Sequence, residues 1–188
     1  MSHNDEANQE GSLMIESMVA ASLVVVGLLG LFNLIYNSTV RDSLAIHRLQ
    51  ATHLAAEGIE VIKNISDADV ANGNRWDCGP GSSRDSCQPF DSCYLVSYDS
   101  NLSNLASSTT GANLFFATSS TGDGVFAPSG NFSMNGLSAS KTLFTRKVCV
   151  DASSGTYMVV TSTVTWSERG QNESITLSDL LYDWRPRQ

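Results

Sequence analysis

Four cysteines carry the clearest chemistry in this 188-residue chain. They are Cys78, Cys87, Cys93 and Cys149, and their spacings lack the close Cys-x-x-Cys pairs typical of zinc sites. We therefore predict disulfide bonds and an oxidising compartment, because cytosolic thiols are kept reduced. Four cysteines allow three pairings that sequence alone leaves open, and we favour Cys78 with Cys87 and Cys93 with Cys149.

Other groups of reactive side chains are sparse. His53 and Glu57 lie one helical turn apart, with His47 nearby, and could suggest a metal site, but no third ligand follows at a suitable spacing. Ser, His and Asp form no grouping typical of a nucleophilic site. The glycine-rich run at residues 79–83 lacks the Lys that a phosphate-binding loop needs. We predict no metal, no cofactor and no enzymatic activity.

A carboxylate, Glu16, stands at the start of a long apolar stretch. Residues 17–36 carry no charge, and at 1.5 Å per residue these 20 residues match the ~30 Å hydrocarbon thickness of a bilayer. A cleaved secretory signal would follow a basic segment, whereas residues 1–11 contain no Lys or Arg. The stretch therefore predicts a transmembrane helix.

The charge on Glu16 is costly beside a membrane, so it needs a partner or contact with water. One interpretation is an interfacial residue that caps the helix, where a negative charge suits the N-terminal dipole. The other is a functional ion pair. Its position alone does not separate the two.

The run from Gly11 to Glu16, GSLMIE, followed by the apolar stretch, resembles the N-terminal signal of type IV pilins and type II secretion pseudopilins, usually GFTLIE. The resemblance implies that a prepilin peptidase cuts after Gly11, removing residues 1–11 as a leader. Ser12 is then the new N-terminal residue, which is N-methylated in that family. The resemblance also implies that Glu16 neutralises the terminal amine of a neighbouring subunit during assembly.

Residues 12–65 predict one long helix, because no proline interrupts them. Gly58 is expected to be tolerated there or to bend the helix locally. Past the membrane segment, apolar residues recur at three- to five-residue steps, which indicates an amphipathic helix. They are Leu44, Ile46, Leu49, Leu54, Ile59, Ile62 and Ile65. The stretch AAEGIEVIKNI is also similar to a segment of pilin-like proteins.

Strand patterns are strongest near the end of the chain. Residues 157–166 alternate apolar and polar, residues 168–171 predict a turn, and residues 174–184 return as a second strand. A third strand at 143–150 precedes them across Ser153-Ser154-Gly155, and the closing pattern is similar to the last hairpin of pilin-like proteins. Residues 66–92 predict an irregular loop. Apolar islands at 114–116 and 125–126 predict short edge strands or packed loop residues.

These elements predict an α+β fold in which a long N-terminal helix spans a membrane with its first half. Its second half packs on a small antiparallel sheet within residues 66–188, as in the pilin architecture. A net charge of −8, with only 11 Lys and Arg, argues against nucleic acid as a partner.

The leading functional hypothesis is a structural or minor subunit of a type IV filament. The implied partners are other pilin subunits, a prepilin peptidase, an inner-membrane assembly platform and the membrane. We expect a single-pass membrane protein before assembly and a cell-surface or periplasmic filament afterwards. The alternatives are a type II secretion pseudopilin, and a single-pass surface protein whose head binds a ligand without polymerising.

Overall fold

A computed structural model describes the backbone of residues 3–80, 82, 86–118, 124–128 and 138–183, with side chains from Met14 onward except at 118 and 138. The chain divides into two compact units, residues 1–46 and 47–188. One helix, α1 (His3–Ala71), runs through the first unit and into the second. The strands are β1 (Ser92–Leu95), β2 (Ala106–Ser107), β3 (Ala112–Thr118), β4 (Gly124–Pro128), β5 (Ser138–Asp151), β6 (Tyr157–Glu168) and β7 (Gln171–Tyr182).

Helix α1 is longer than the predicted span of 12–65. It already includes residues 3–11, and it continues through residues 66–71, where the sequence had predicted a loop. The helix stops because Gly73 takes a left-handed φ of 84°. The Gly73 amide donates to the Val70 carbonyl at 3.0 Å and the Asn74 amide to that of Asp69 at 3.1 Å. These two bonds form a Schellman motif at the C-terminus of the helix, and the Asn72-Gly73 pair in the sequence is typical of it.

All seven described strands form one antiparallel sheet, which together with α1 gives the expected α+β fold. The 14-residue β5 is its organising strand. One side of β5 pairs with β6, and β7 follows β6. The other side pairs with both β3 and β1, which carry β4 and β2 at their outer sides.

The predicted hairpin is confirmed. Strands β6 and β7 pair from Tyr157 opposite Tyr182 to Glu168 opposite Gln171. The two residues between them, Arg169 and Gly170, have φ of 53° and 77°. Two successive positive φ values give a turn whose twist matches that of the flanking strands.

The apolar islands at 114–116 and 125–126 lie in β3 and β4. Strand β4 pairs only with β3 among the described strands, but β3 is paired on both sides, so it is not an edge strand. The reason is that β5 starts at Ser138 instead of residue 143 and therefore extends alongside β3. The last residue of the predicted final strand, at position 184, lies outside the described residues.

The core of the second unit lies between α1 and the sheet, in two apolar clusters. The first contains Ile62, Ile65, Phe90, Tyr94, Val96, Leu105, Val148, Val150, Ala152, Met158 and Val160. The second contains Ala51, Leu54, Ala55, Leu114, Phe144, Val164 and Trp166. Alternate residues of β6 from Met158 to Trp166 are buried, as the period of two predicted.

The buried face of α1 differs from the predicted apolar stripe at two positions. Ile46 and Leu49 are exposed, with 55% and 60% of their surface accessible. Small residues, Ala51 and Ala55, are fully buried in their place. Their short side chains belong to the second apolar cluster, with Leu114, Phe144, Val164 and Trp166 of the sheet.

Candidate functional site

The residues expected from the sequence to form a processing signal lie on α1 in the first unit. The backbone is helical through Gly11 and Ser12, and Glu16 follows four residues after Ser12 on the same helix. Residues four apart lie on one face of a helix, one turn above each other. The segment therefore aligns the carboxylate of Glu16 with the residue expected to become the N-terminus.

The helix that follows is long and apolar enough to cross a membrane. Its most apolar window has a mean hydropathy of 2.4, and none of that window is buried within the chain. The exposed large apolar side chains are Met14, Ile15, Met18, Val19, Leu23, Val24, Val25, Val26, Leu28, Leu29, Leu31, Phe32, Leu34, Ile35 and Tyr36. A continuous apolar surface of this kind needs a covering of lipid or protein.

Four polar side chains of this segment bond to the helix itself. A hydroxyl or amide left unpaired in hydrocarbon is costly, and back-bonding to a carbonyl one turn earlier removes that cost. The bonds run from Ser17 to the Met14 carbonyl at 2.8 Å, Ser22 to Val19 at 2.7 Å, Asn37 to Asn33 at 2.8 Å and Thr39 to Ile35 at 3.0 Å. These residues are therefore compatible with a lipid environment.

Glu16 is exposed and, among the side chains that the structure describes, has no ion-pair partner within its own chain. The nearest Lys or Arg along α1 is Arg41, 25 residues further on. An exposed carboxylate next to an apolar surface must be solvated or meet a positive charge from elsewhere.

Two disulfide bonds stabilise the second unit, in the pairing favoured from the sequence. Cys78 is bonded to Cys87 across a separation of nine residues, with the Cα atoms 5.2 Å apart. Cys93 is bonded to Cys149 across 56 residues. Because Cys93 of β1 lies directly opposite Cys149 of β5, the second bond links these two strands at a paired position.

One group of possible metal ligands occurs within the described ranges, formed by Asp77, Cys78 and Cys87. Its two sulfurs are bonded to each other, so they are not available as thiolate ligands. The Asp77 carboxylate accepts two hydrogen bonds from Arg75, at 3.0 and 2.6 Å. The group is therefore a disulfide beside an ion pair.

A polar layer separates the two apolar clusters, and the sequence reasoning missed it. Gly58 of α1, Arg146 of β5 and Ser162 of β6 are all buried there. A Cβ placed on Gly58 would approach Ser162 Oγ and Val148 Cγ2 to 2.8 Å and Arg146 Cδ to 3.3 Å. Gly58 therefore permits close helix-to-sheet packing at this point, and the helix continues through it, as a tolerated glycine allows.

Arg146 is the polar group that holds this layer together. Only 3% of its surface is accessible. Its guanidinium donates to the carbonyls of Leu54 at 2.9 Å and Val96 at 2.7 Å, and it lies 3.4 Å from Glu57 Oε1. Burial lowers the pKa of the Arg146 guanidinium below its usual value, and the charge of Glu57 opposes that shift.

The histidines considered as metal ligands do not converge. His53 is exposed, and Glu57 contacts Arg146. His47 Nδ1 lies 3.1 Å from Glu168 Oε2, at the end of β6. His47 therefore contributes to the contact between α1 and the sheet.

The structure thus groups the predicted residues into two separate sets. Gly11, Ser12 and Glu16 share one helical segment in the first unit, and the four cysteines form two bonds in the second. No protein-family model, curated protein or solved structure matches the chain.

Proposed function

We propose that this chain is a structural or minor pilin subunit of a type IV filament, which assembles through its apolar N-terminal helix after prepilin peptidase cleavage. The observation that carries the proposal is the exposed apolar surface from Met14 to Tyr36, which contains one carboxylate, Glu16, that has no ion pair with any side chain that the structure describes. The signal-like run from Gly11 to Glu16 stands at its start.

In this proposal, the apolar surface of the helix contacts lipid before assembly and neighbouring helices after it. In the membrane, lipid tails cover the apolar helix at no cost. When the subunit leaves the bilayer, the same surface must be covered by other protein, because its exposure to water would cost roughly 25 cal/mol of free energy per Å². Neighbouring copies of the same helix supply that cover, so the apolar helix serves as both anchor and assembly surface.

The charge of Glu16 sets the register of this assembly. Cleavage after Gly11 creates an amine at Ser12, which is a positive charge at the end of each mature subunit. Pairing that amine with Glu16 of a neighbour neutralises two charges that would otherwise be costly next to lipid or packed helices. The peptidase and an inner-membrane assembly platform are the partners this route requires.

The second unit is the exported head in this proposal. Its two disulfides require an oxidising compartment, which agrees with the periplasm or the cell surface. Loss of Asp5, Glu6 and Glu10 with the leader changes the net charge from −8 to −5. An acidic head favours solubility and does not favour nucleic acid. We assign it no catalytic role.

A type II secretion pseudopilin would use the same helix and the same cut. The two assignments differ in their partners, so the neighbouring genes separate them. A retraction motor gene supports the pilin, and a secretion-system secretin and ATPase without one support the pseudopilin.

The decisive experiment replaces Glu16 by Gln, which keeps the shape of the side chain and removes its charge. Both forms are expressed in the native host, filaments are sheared off, and the ratio of subunit in filaments to subunit in membranes is measured. We expect the ratio to fall by about tenfold or more, since an apposed charge pair contributes a few kcal/mol when desolvated.

The matched control is Asp42→Asn, which removes an exposed carboxylate from the same helix. It should leave the ratio unchanged. A wild-type ratio for Glu16→Gln would contradict charge pairing and leave Glu16 as an interfacial residue.

Processing is tested independently by intact mass. Wild-type protein from membranes should begin at Ser12, and Gly11→Leu should retain residues 1–11 while still inserting into the membrane. Asn8→Leu, a change within the leader away from the cut, should be processed normally. Wild-type protein that keeps Met1 through Gly11 would overturn the proposal.

A further inference from the structure

A dipeptide with intrinsic chemical reactivity, Asn72-Gly73, lies at the C-terminal end of α1. The carboxamide carbon of an asparagine is an electrophile, and the backbone nitrogen of the next residue is a nucleophile that can close a ring onto it. When the next residue is glycine, no side chain hinders this approach. The pair at positions 72 and 73 therefore has the composition of a self-modifying site.

The reaction consumes water and needs no other reagent. The deprotonated amide nitrogen of Gly73 attacks Cγ of Asn72, the new N–C bond closes a succinimide ring, and the carboxamide nitrogen leaves as ammonia. Water then opens the ring at either of its two carbonyls. One opening gives aspartate, and the other gives isoaspartate, in which the backbone runs through Cβ and Cγ and is longer by a methylene. No electron is transferred in any step.

In the folded head, the nucleophile of this reaction is engaged in the hydrogen bonds that end α1. The Gly73 amide donates to the Val70 carbonyl at 3.0 Å. The Asn72 amide donates to the carbonyls of Ala68 and Asp69, both at 3.1 Å. An amide held as a donor cannot lose its proton and turn towards the carboxamide until its own hydrogen bond opens. The closed helix end therefore suppresses the attack.

The residues on either side of the dipeptide hold this turn closed. Asp69 is 7% exposed, and its Oδ1 accepts a hydrogen bond from Asn74 Nδ2 at 2.7 Å. The Asn74 amide donates to the Asp69 carbonyl at 3.1 Å. One turn earlier, Ser66 Oγ donates to the Trp76 carbonyl at 2.6 Å. The chain that follows the dipeptide is thus tied back to the last turns of the helix.

Water and base reach the dipeptide without entering the core. Asn72 is exposed, and with Tyr98 and Asn101 it lines an open cavity of about 550 Å³. The restraint on the reaction is therefore the hydrogen bonding of the Gly73 amide and not the access of water.

We propose that Asn72 is a site of spontaneous deamidation whose rate is set by the opening of the C-terminal end of α1. Each opening releases the Gly73 amide for attack. Because the loss of ammonia is irreversible, isoaspartate at position 72 accumulates as a record of these openings. The site belongs to the head, and it stands whether or not the chain polymerises.

The modification weakens the same helix end that restrains it. In isoaspartate the extra methylene displaces the amides of Gly73 and Asn74 relative to their carbonyl acceptors, so the Schellman motif is lost. Both products also add a carboxylate at the negative end of the helix dipole, near the buried Asp69. Modified chains therefore open at this end more often than unmodified chains.

The experiment ages the full-length protein in detergent in a mildly alkaline buffer, both native and unfolded in guanidinium with its cysteines reduced and capped. Peptide mapping that separates aspartate from isoaspartate gives the conversion rate at Asn72. The chain's other Asn-Gly pair, Asn135-Gly136, lies outside the described residues and calibrates the rate in the unfolded chain. We expect similar rates for the two pairs when unfolded, and conversion of Asn72 about tenfold or more slower in the native protein.

A variant that loosens the helix end tests the cause. Asn74→Ala removes the 2.7 Å hydrogen bond to Asp69 and leaves the dipeptide intact. It should raise the native conversion rate of Asn72 by about threefold or more and leave the unfolded rate unchanged, because one of the bonds that hold the end closed is lost. The matched control, Asn64→Ala, removes an exposed asparagine from α1 two turns earlier and should convert as the wild type does in both states.

Hydrogen exchange of the aged protein tests the consequence. The amides of Gly73 and Asn74 should exchange faster in the isoaspartate form than in Asn72→Asp, which adds the charge without the methylene. Equal exchange in these two forms would contradict the loss of the Schellman motif.

Three results would overturn the proposed site itself. The first is conversion of Asn72 as fast in the native protein as in the unfolded protein, because the helix end would then give no restraint. The second is no conversion in the unfolded protein, because the pair would then lack the reactivity. The third is an unchanged native rate in Asn74→Ala.

Discussion

The two disulfides should contribute unequally to the stability of the head. In the chain-entropy treatment, a cross-link stabilises by restricting the unfolded chain, and the effect grows with the logarithm of the loop length. The bond from Cys93 to Cys149 closes a separation of 56 residues, which gives about 4 kcal/mol. The bond from Cys78 to Cys87 closes nine residues, which gives about 2.5 kcal/mol. Removing the long-range bond should therefore cost about 1.5 kcal/mol more.

The comparison uses two double variants, Cys93→Ala with Cys149→Ala and Cys78→Ala with Cys87→Ala. Guanidinium unfolding in detergent is followed by tryptophan fluorescence, because Trp166 is buried in the head core and reports on its loss. The reduced wild type serves as the control, and its loss should approach the sum of the two. Non-reducing peptide mapping of each variant should show the remaining bond intact and no free thiol.

The test is which of the two double variants loses more free energy of unfolding. An equal loss, or a larger one for the Cys78 and Cys87 variant, would refute the chain-entropy reasoning. Local packing would then set the cost, because Cys78 is buried whereas Cys93 and Cys149 are half-buried.

Two further predictions concern the polar layer. Gly58→Ala should lower the free energy of unfolding of the head by about 1–2 kcal/mol, because the added Cβ would approach Val148 Cγ2 to 2.8 Å. Adding Val148→Ala should recover part of that loss, as measured by chemical unfolding. An unchanged midpoint would mean that the helix moves away freely. Arg146→Met should lower the free energy of unfolding by about 3 kcal/mol, because it leaves the buried Val96 carbonyl and Glu57 unpaired. Glu57→Gln should lower it by less than about 1 kcal/mol, because the Glu57 side chain is 34% exposed. Equal losses in the two variants would show that the ion pair, and not the carbonyl contacts, is the source.

The parts of the fold that follow from local patterns were accessible from the sequence. The hairpin of β6 and β7 was predictable because alternation and a turn dipeptide act within one continuous segment. The long apolar helix was predictable because its apolar composition and its freedom from proline are local properties of one continuous segment. Strand β3 was less accessible, because its interior position depends on where β5 begins, and that is decided by pairing between distant segments.

The burial of Arg146 could have been predicted from the alternation of β5. In the run LFTRKVCV it falls in phase with Phe144, Val148 and Val150, all of which are buried. Alternation therefore placed it on the core face, where a charge requires partners. Its partners at Leu54 and Val96 are supplied by tertiary packing, which the sequence does not encode locally.

The candidate sites also differ in whether local sequence or the packing of distant segments forms them. Gly11, Ser12 and Glu16 form a linear run, so a motif could indicate them. The polar layer combines Gly58 of α1 with Arg146 of β5 and Ser162 of β6, which lie far apart in the sequence. Only folding brings these segments together, and no spacing rule indicates them.

Strand β7 has a consequence for how copies of this chain meet one another. It pairs only with β6 among the described strands, so one side of a 12-residue backbone offers unpaired amides and carbonyls. Such an edge recruits strands from other copies when it is flat and apolar. Here Ser174, Thr176, Ser178 and Asp179 are exposed along it. These polar side chains oppose strand addition along most of the edge, whereas Leu180 and Tyr182, 48% and 55% exposed, leave its last residues open to another strand.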